Sequence, residues 1–262
     1  MKRIHLFEVE DFNWVPNWLR RCMTLLIVVM HRILGSPEQV AKLVSKALLY
    51  SKKPEIIDLC SGSGGPMPEV IEILQNKYNV KNIKLTLSDL YPDTKMAETV
   101  NGGNNKNITY LTTPLDAAKI GAKQKGVRTM VGSLHHMKPD IAHNILKDAK
   151  ESRQPICIFE ISDNSFPAWL WWIAIPINTI TSLFVTLAVR PMTWQQIVFT
   201  YIIPIIPLAF AWDGAVSNAR TYTLSDMDEL LEGLHSDDYT WEKGTIKGKS
   251  KKLYLLGLPV NK

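Results

Sequence analysis

The stretch Glu55-Ile56-Ile57-Asp58-Leu59-Cys60-Ser61-Gly62-Ser63-Gly64-Gly65-Pro66-Met67-Pro68 constrains this chain more than any other. Apolar residues set between two acids run into a turn of small residues, and Val70, Ile71, Ile73 and Leu74 then recur at a helical period. The pattern predicts a strand, a tight loop and a helix. In an open α/β sheet the ends of such strands bind ligands, because glycine lets the backbone come close and a helix N-terminus offers unpaired N–H groups. Pro66 and Pro68 suit the first helical turn, where no N–H has a partner to lose.

A dinucleotide loop of the form G-x-G-x-x-G would carry its third glycine where Met67 stands. The stretch instead reads acid-x-small-x-Gly-x-Gly, and a second acid ends the strand-like run Leu85-Thr86-Leu87-Ser88-Asp89. Together they resemble class I S-adenosylmethionine (SAM)-dependent methyltransferases, over most of the chain. The resemblance implies SAM as cofactor, with Asp58 ordering the loop of Cys60, Ser61, Gly62 and Gly64 near the methionine moiety. It implies that Asp89, followed by Leu90, takes the ribose hydroxyls, and that Asp116-Ala117 lies against the adenine. The segment Ser133-Leu134-His135-His136-Met137 is similar to the stretch that follows the family's fourth strand. Cys60 stands where the family has its first glycine.

Periodicity organises the rest. Strands are expected at Glu55 to Leu59, Leu85 to Ser88, Ile108 to Leu111, Val127 to Val131 and Ile156 to Ile161, with helical connections and therefore a parallel sheet. Thr240 to Ile246 and Leu253 to Leu258 alternate around a Gly-Lys-Ser-Lys-Lys turn, and the resemblance implies that they close the sheet as an antiparallel hairpin. The expected class is a three-layer, doubly wound α/β fold. Its divisions are an N-terminal helical cap (1–50), a SAM-binding core (51–163), an apolar helical hairpin (164–212) and the end of the core (213–262).

The cap reads as helices from Trp18 to Leu34 and from Pro37 to Leu49, the second with Ser36 as N-cap. It would cover the substrate site or, with Trp14, Trp18 and flanking arginines, lie at a membrane interface. A last helix is expected from Met227 to Leu234 behind Ser225.

The hairpin is the unusual part. Phe166 to Val189 and Thr193 to Trp212 carry no charge, and each is about the roughly 20 residues that a bilayer core requires. Trp169, Trp171, Trp172, Trp194 and Trp212 sit near the ends, as in an aromatic belt. Pro176, Pro204, Pro207 and several amides argue instead for a buried lid or an interface between two copies of the chain. Membrane association is the favoured expectation, either spanning or dipping in and returning, with the catalytic domain on the cytoplasmic side.

The net charge of +5 raises nucleic acid or an anionic surface as partners, but the only lysine cluster is Lys247, Lys249, Lys251 and Lys252, read as a solvated hairpin turn. Nucleic acid is not expected as a partner. Cys22, Cys60 and Cys157 have no metal-ligand spacing and imply a reducing compartment.

For the chemistry, His135 and His136 are the first candidates as bases, because histidine titrates near neutrality. The alternative is that one caps backbone while the other packs. No metal is expected, since the pair has no third ligand at helical spacing. Asp213 is a further catalytic candidate. Tyr91, Glu160, Asp163 and Asn164 lie at strand ends where a substrate would bind. Arg220 could hold an anionic group through its fork, or pair with Asp163 or Glu160 and tie the insert to the sheet. The function expected is methyl transfer from SAM to a small hydrophobic or amphiphilic acceptor at a membrane. A non-catalytic protein scaffolding a membrane complex is the alternative.

Overall fold

The computed structural model describes residues 1–260 other than Lys2, Ser63, Ser165, Phe166, Ala168 and Trp169, and only the backbone of Lys123, Trp171 and Trp172. Seven strands, β1 (Glu55–Asp58), β2 (Lys84–Leu87), β3 (Ile108–Tyr110), β4 (Val127–Val131), β5 (Ile156–Glu160), β6 (Tyr239–Ile246) and β7 (Lys252–Pro259), form one sheet in the order β3-β2-β1-β4-β5-β7-β6. β1 to β5 are parallel, with Ile57 opposite both Thr86 and Arg128. β7 enters antiparallel to β5, with Glu160 opposite Leu253, and β6 is antiparallel to β7. The order reverses between β1 and β4, and in an open sheet ligands bind outside the strand ends at that point.

The helices are α1 (Asn17–Ile33), α2 (Ser36–Leu48), α3 (Met67–Asn76), α4 (Thr94–Gly102), α5 (Pro139–Glu151), α6 (Trp171–Thr186), α7 (Trp194–Ile197, continued by a π-helical turn Val198–Ile202), α8 (Ile205–Arg220) and α9 (Leu224–Leu230). The α2, α3 and α4 helices cover one face, where Val40, Val44, Ile71 and Ala97 pack on Leu85 and Phe159. Across the sheet, α5 and α9 bring Ile145, Leu146 and Met227 onto Ile57, Met130 and Ile158. The three-layer α/β architecture is thus built by strands that are apolar on both faces, as a doubly covered parallel sheet requires.

Local details differ from the sequence reading. Gly35, at φ 67°, turns the chain into α2, so Ser36 is the first helical residue rather than the cap. Thr223, not Ser225, caps α9, in a reciprocal box with Asp226. The hairpin lysines are not simply solvated: Lys249 Nζ donates to Ile33 O (2.8 Å), while buried Lys252 donates to Leu34 O (2.5 Å) and Gln39 Oε1 (2.8 Å). They hold the end of α1, where carbonyls lack helical partners and a cation is favoured.

The expected hairpin of two long arms is instead three helices packed on α1. Leu19, Met23 and Leu26 of α1 meet Val185, Val189, Ile206 and Ala209 in a separate core, and Trp18 stacks on Phe199 at 4.5 Å. α8 runs unbroken through position 212, so the expected polar segment from Asp213 is its second half, and the boundary between 212 and 213 falls inside a helix. Ala209, Ala211, Ala215 and Ala219 give it a small-residue surface that packs closely against its neighbours. Among the described residues no single helix is long and apolar enough to cross a membrane. The α7 segment and α8 pass such a test only together, bent by 82° beside Pro204. One side of the bundle remains apolar and open: Ile173, Ile177, Ile180, Phe184 and Leu187 form a stripe along α6, with Ile202 and Leu208 also exposed. Of the expected aromatic belt, Trp169 and the side chains of Trp171 and Trp172 lie outside the described residues, as does Phe166. Trp194 is exposed, and Trp212 donates from Nε1 to Phe7 O at 3.0 Å.

Candidate active site

The glycine loop leaves β1 as a closed hydrogen-bonded unit. Asp58 is buried and accepts from Ser61 Oγ and Thr129 Oγ1, each at 2.6 Å. Burial pushes its carboxyl up to about 7, against those two hydrogen bonds. Cys60, Gly62, Gly64 and Gly65 all have positive φ, of 56°, 51°, 102° and 49°. Space is open above Gly62 and Gly65: among the described residues, none beyond the chain neighbours comes within 4 Å of an added Cβ. Cys60 therefore holds a left-handed conformation that glycine adopts at less cost. Burial and the nearby acids push its thiol up to about 12.

The second acid closes the loop from β2. Asp89 accepts Gly62 N–H (2.9 Å) and Tyr91 N–H (2.9 Å), and its own carbonyl accepts Leu115 N–H (2.9 Å). That last bond brings the Asp116-Ala117 loop to the same edge, where Asp116 accepts Ala118 N–H at 2.9 Å and Ala117 is buried. Tyr110 donates its hydroxyl to Gly62 O at 2.7 Å. Leu90 and Tyr91 are exposed at the rim. Ser133 is buried after β4, and its hydroxyl has no partner among the described residues. Asp58 ends β1, and Cys60, Ser61, Gly62, Gly64, Asp89, Leu90, Asp116, Ala117 and Ser133 lie on loops that leave the C-terminal ends of β1 to β4.

The adjoining edge, past β4 and β5, holds a second constellation. His135 donates its backbone N–H to Glu160 Oε1 (3.1 Å) and places Nδ1 2.9 Å from Glu160 Oε2. The ring of His136 lies beside it, tilted by 34°, with centroids 4.3 Å apart. Over both lies the N-terminal segment, residues 3–12, clamped to α8. Asp213 accepts the backbone N–H groups of Val9 (2.6 Å) and Glu10 (3.3 Å), so both its oxygens serve that segment. Arg220 is buried and reaches Leu6 O (2.7 Å), Glu8 (3.2 Å) and Asp11 (2.5 Å). The pairing with Asp163 or Glu160 offered by the sequence is not made; the arginine ties α8 to the N-terminus instead. Arg3 donates to Met137 O (2.8 Å) and His135 O (2.5 Å), and its guanidinium lies 4.1 Å from the Tyr222 ring centre.

Glu8 is the centre of this cluster. It is 1% exposed, lies 3.6 Å from His136 and 4.0 Å from His135, and accepts from Ser217 Oγ at 3.1 Å. Burial raises its carboxyl to about 7, with His136 and Arg220 pulling it down and Glu10 adding to the rise. Asp213 is raised to about 7 by burial. Asp11 is moved the other way: hydrogen bonds from His136 and Arg220 outweigh its burial and hold it well below the usual range.

Among the other candidates, Asn164 donates to Thr221 O at 3.0 Å, and Asp163 lies 3.8 Å from Lys251 Nζ. Both sit beside the end of α8 rather than against the histidines. Sequence reasoning missed Arg3, Glu8 and Asp11, and with Glu8 a third potential ligand beside the histidine pair. The mixed charge of positions 1–11 does not set them apart from solvated residues.

This fold is similar to that of solved methyltransferases. No protein-family model matches the chain, and no curated protein matches it. Among solved structures, the plantazolicin methyltransferase BpumL, in complex with a monoazolic desmethylPZN analog and SAH, is similar at TM-score 0.52 and 12% identity, over 93% of this chain and 98% of its own. An O-methyltransferase family 2 protein from Planctomyces limnophilus, in complex with apigenin, gives 0.52 and 14%, over 96% of this chain and 64% of that one. The plantazolicin methyltransferase BamL gives 0.51 and 10%, over 92% and 98%. At these identities the likeness establishes the fold.

Proposed function

We propose that this protein binds SAM at the β1–β2 edge and transfers its methyl group to a small apolar or amphiphilic acceptor at a membrane surface. The observation that carries the reading is the loop itself. Four left-handed positions within six residues, Cys60, Gly62, Gly64 and Gly65, open the backbone beside Asp89, and the buried Ser133 hydroxyl lacks a partner among the described residues, so the residues present fit the cofactor. Bound SAM supplies an electrophilic methyl group on a sulfonium. Asp58 shapes the loop through Ser61 and Thr129. Asp89 and Ser133 would bind the cofactor, and Asp116-Ala117 would flank its base.

The acceptor is assigned to the adjoining edge, beside His135 and His136, with Tyr91, Asp163 and Asn164 at its margins. Asp213 and Arg220 act there as positioning residues, since their polar atoms hold the N-terminal segment. The desmethylPZN analog and the apigenin bound by the two neighbours support an organic molecule as acceptor.

For the membrane, the exposed stripe on α6 supports a helix lying in the interface over one that crosses it. The catalytic face would then be cytoplasmic. One observation favours the non-catalytic alternative: residues 3–12 already cover the histidine edge.

Methyl-labelled SAM incubated with the protein and a membrane lipid extract separates the readings. Label in the organic phase supports a hydrophobic acceptor; SAM binding by calorimetry with no label in any fraction leaves the scaffold. Ile177→Asp with Phe184→Asp should abolish co-sedimentation with anionic vesicles while leaving SAM binding intact. Equal sedimentation of this variant removes the membrane from the proposal.

A further inference from the structure

We propose that Glu8, His135 and His136 form a binding site for one divalent transition-metal ion of the zinc class. The three come from opposite ends of the fold, yet their ligand atoms all lie within 4.8 Å of one another. His136 Nε2 is 3.6 Å from Glu8 Oε2, and His135 Nε2 is 4.0 Å from Glu8 Oε1. Metal–nitrogen and metal–oxygen bonds of about 2.0–2.2 Å at tetrahedral angles separate ligand atoms by roughly 3.3–3.5 Å, so the three side chains must draw together by up to about 1.5 Å to complete the set.

A second, independent observation points to a ligand. His135 is 5% exposed, and its Nε2 is buried without a hydrogen-bond partner. Its other nitrogen faces Glu160 at 2.9 Å, and Glu160 is fixed in turn by the His135 backbone N–H. Hydrogen on Nδ1 leaves the lone pair on Nε2, aimed at Glu8. A buried carboxylate behind a histidine whose far nitrogen is bare is the usual outer arrangement of a metal-bound imidazole, because it fixes the tautomer and makes the ligand more basic.

Charge agrees. Glu8, Glu10, Asp11 and Glu160 surround the pair, against the guanidiniums of Arg3 and Arg220. A divalent cation offsets the surplus. Glu8 Oε1 is engaged by Ser217 and Arg220, whereas Oε2 turns toward His136. A protonated His136 among its carboxylates would account for that residue alone and would leave His135 Nε2 bare. Two imidazoles and one carboxylate suit zinc, cobalt or iron(II) over magnesium or calcium, and three protein ligands leave a fourth position open. The inference rests on these residues and not on methyl transfer.

The full chain, stripped by a chelator, is titrated with Co²⁺ alone and read by visible absorption, then with Zn²⁺ in competition. One equivalent should bind with the intense spectrum of a four- or five-coordinate ion, and Zn²⁺ should displace it. Glu8→Gln and His135→Ala should each weaken binding at least tenfold, and Glu160→Gln by about 10–100-fold through the orientation of His135. His136→Gln, at a half-buried ring, covers the case in which a core variant does not fold. A spectrum no different from aqueous Co²⁺, or unchanged binding in folded His135→Ala or His136→Gln, overturns the site. SAM affinity is measured on the same samples: metal binding without SAM binding sinks the methyltransferase reading alone, and SAM binding without metal sinks this one.

Discussion

The two halves of the sheet edge are made in opposite ways. On the cofactor half, Asp58 bonds Ser61 three residues on, Gly62 bonds Asp89 just past β2, and Thr129 of β4 adds one bond to Asp58, so adjacent parallel strands and the loops that leave them suffice. On the histidine half, no two consecutive segments complete anything: the N-terminal segment, the turn after β4, the end of β5 and the second half of α8 must all arrive. The first half is a local motif presented by a sheet. The second exists only as tertiary structure, and its charges are held by burial and pairing rather than by backbone geometry.

If the halves are as separate as this implies, damage to one should spare the other. The largest effect is expected for Arg220→Ala, which strands Glu8 buried beside further acids. Loss of one partner of a buried pair costs about 3–5 kcal/mol. The melting temperature should fall by roughly 6–20 °C at ~2–4 °C per kcal/mol, while SAM affinity changes little. An equal collapse of SAM affinity in the folded variant would break the comparison.

Asp89→Ala is its mirror image. Charge-assisted hydrogen bonds of about 1.5–3 kcal/mol are lost, so calorimetry should show SAM binding weakened roughly 10–100-fold. The melting temperature should move by only a degree or two. A full-strength SAM isotherm would refute the assignment.

Stability against pH sharpens the contrast on the cofactor half. Asp58 binds a proton more tightly in the fold than in the unfolded chain, its carboxyl being raised from 3.8 to about 7. Its contribution is therefore full below about 4 and is lost as pH rises through about 7. His31, lowered to about 4 by burial, acts in the opposite sense: its contribution is present above 6.5 and lost as pH falls through 4. Glu8 and Asp213, also raised to about 7, act in the same sense, so urea unfolding should show lower stability at pH 8 than at pH 6, and Asp58→Asn should remove part of that slope. A slope unchanged in folded Asp58→Asn would show that Asp58 is ionised in the fold.

The smallest effect concerns Cys60. With its thiol pushed up to about 12, it should resist iodoacetamide at neutral pH in the folded protein and react once unfolded. Rapid native labelling, located by mass spectrometry, would mean that the loop opens.

The five parallel strands were legible to within a residue or two at their ends, because Ile156 to Phe159 is a continuous apolar run, Val127, Met130 and Val131 frame another, and both are bounded by turn residues. The insert was legible as apolar but not as a shape. Absence of charge from Thr193 to Trp212 does not reveal that Pro204 bends the chain, or that Ala209 to Ala219 let α8 continue as a packed helix. On the site, Asp58, the glycines and Asp89 sit in a readable spacing. Glu8 does not: it lies 127 positions before His135, and no local pattern distinguishes it from the exposed acid it would be on a frayed terminus. The lysines of the last hairpin misled for the same reason, since their acceptors belong to α1 and α2.

The clamp of residues 3–12 onto α8 also sets an order in time. Val9 and Asp213 are 204 positions apart, so a ribosome adding about 5–20 residues per second leaves the N-terminal segment waiting roughly 10–40 s for its partner. Through that interval Glu8 and Asp11 have no Arg220, and β1 to β5 can assemble beneath an uncovered histidine edge. The nascent protein would thus possess its glycine loop well before the other half of its site, and an ion or acceptor meeting it early would find the edge still open.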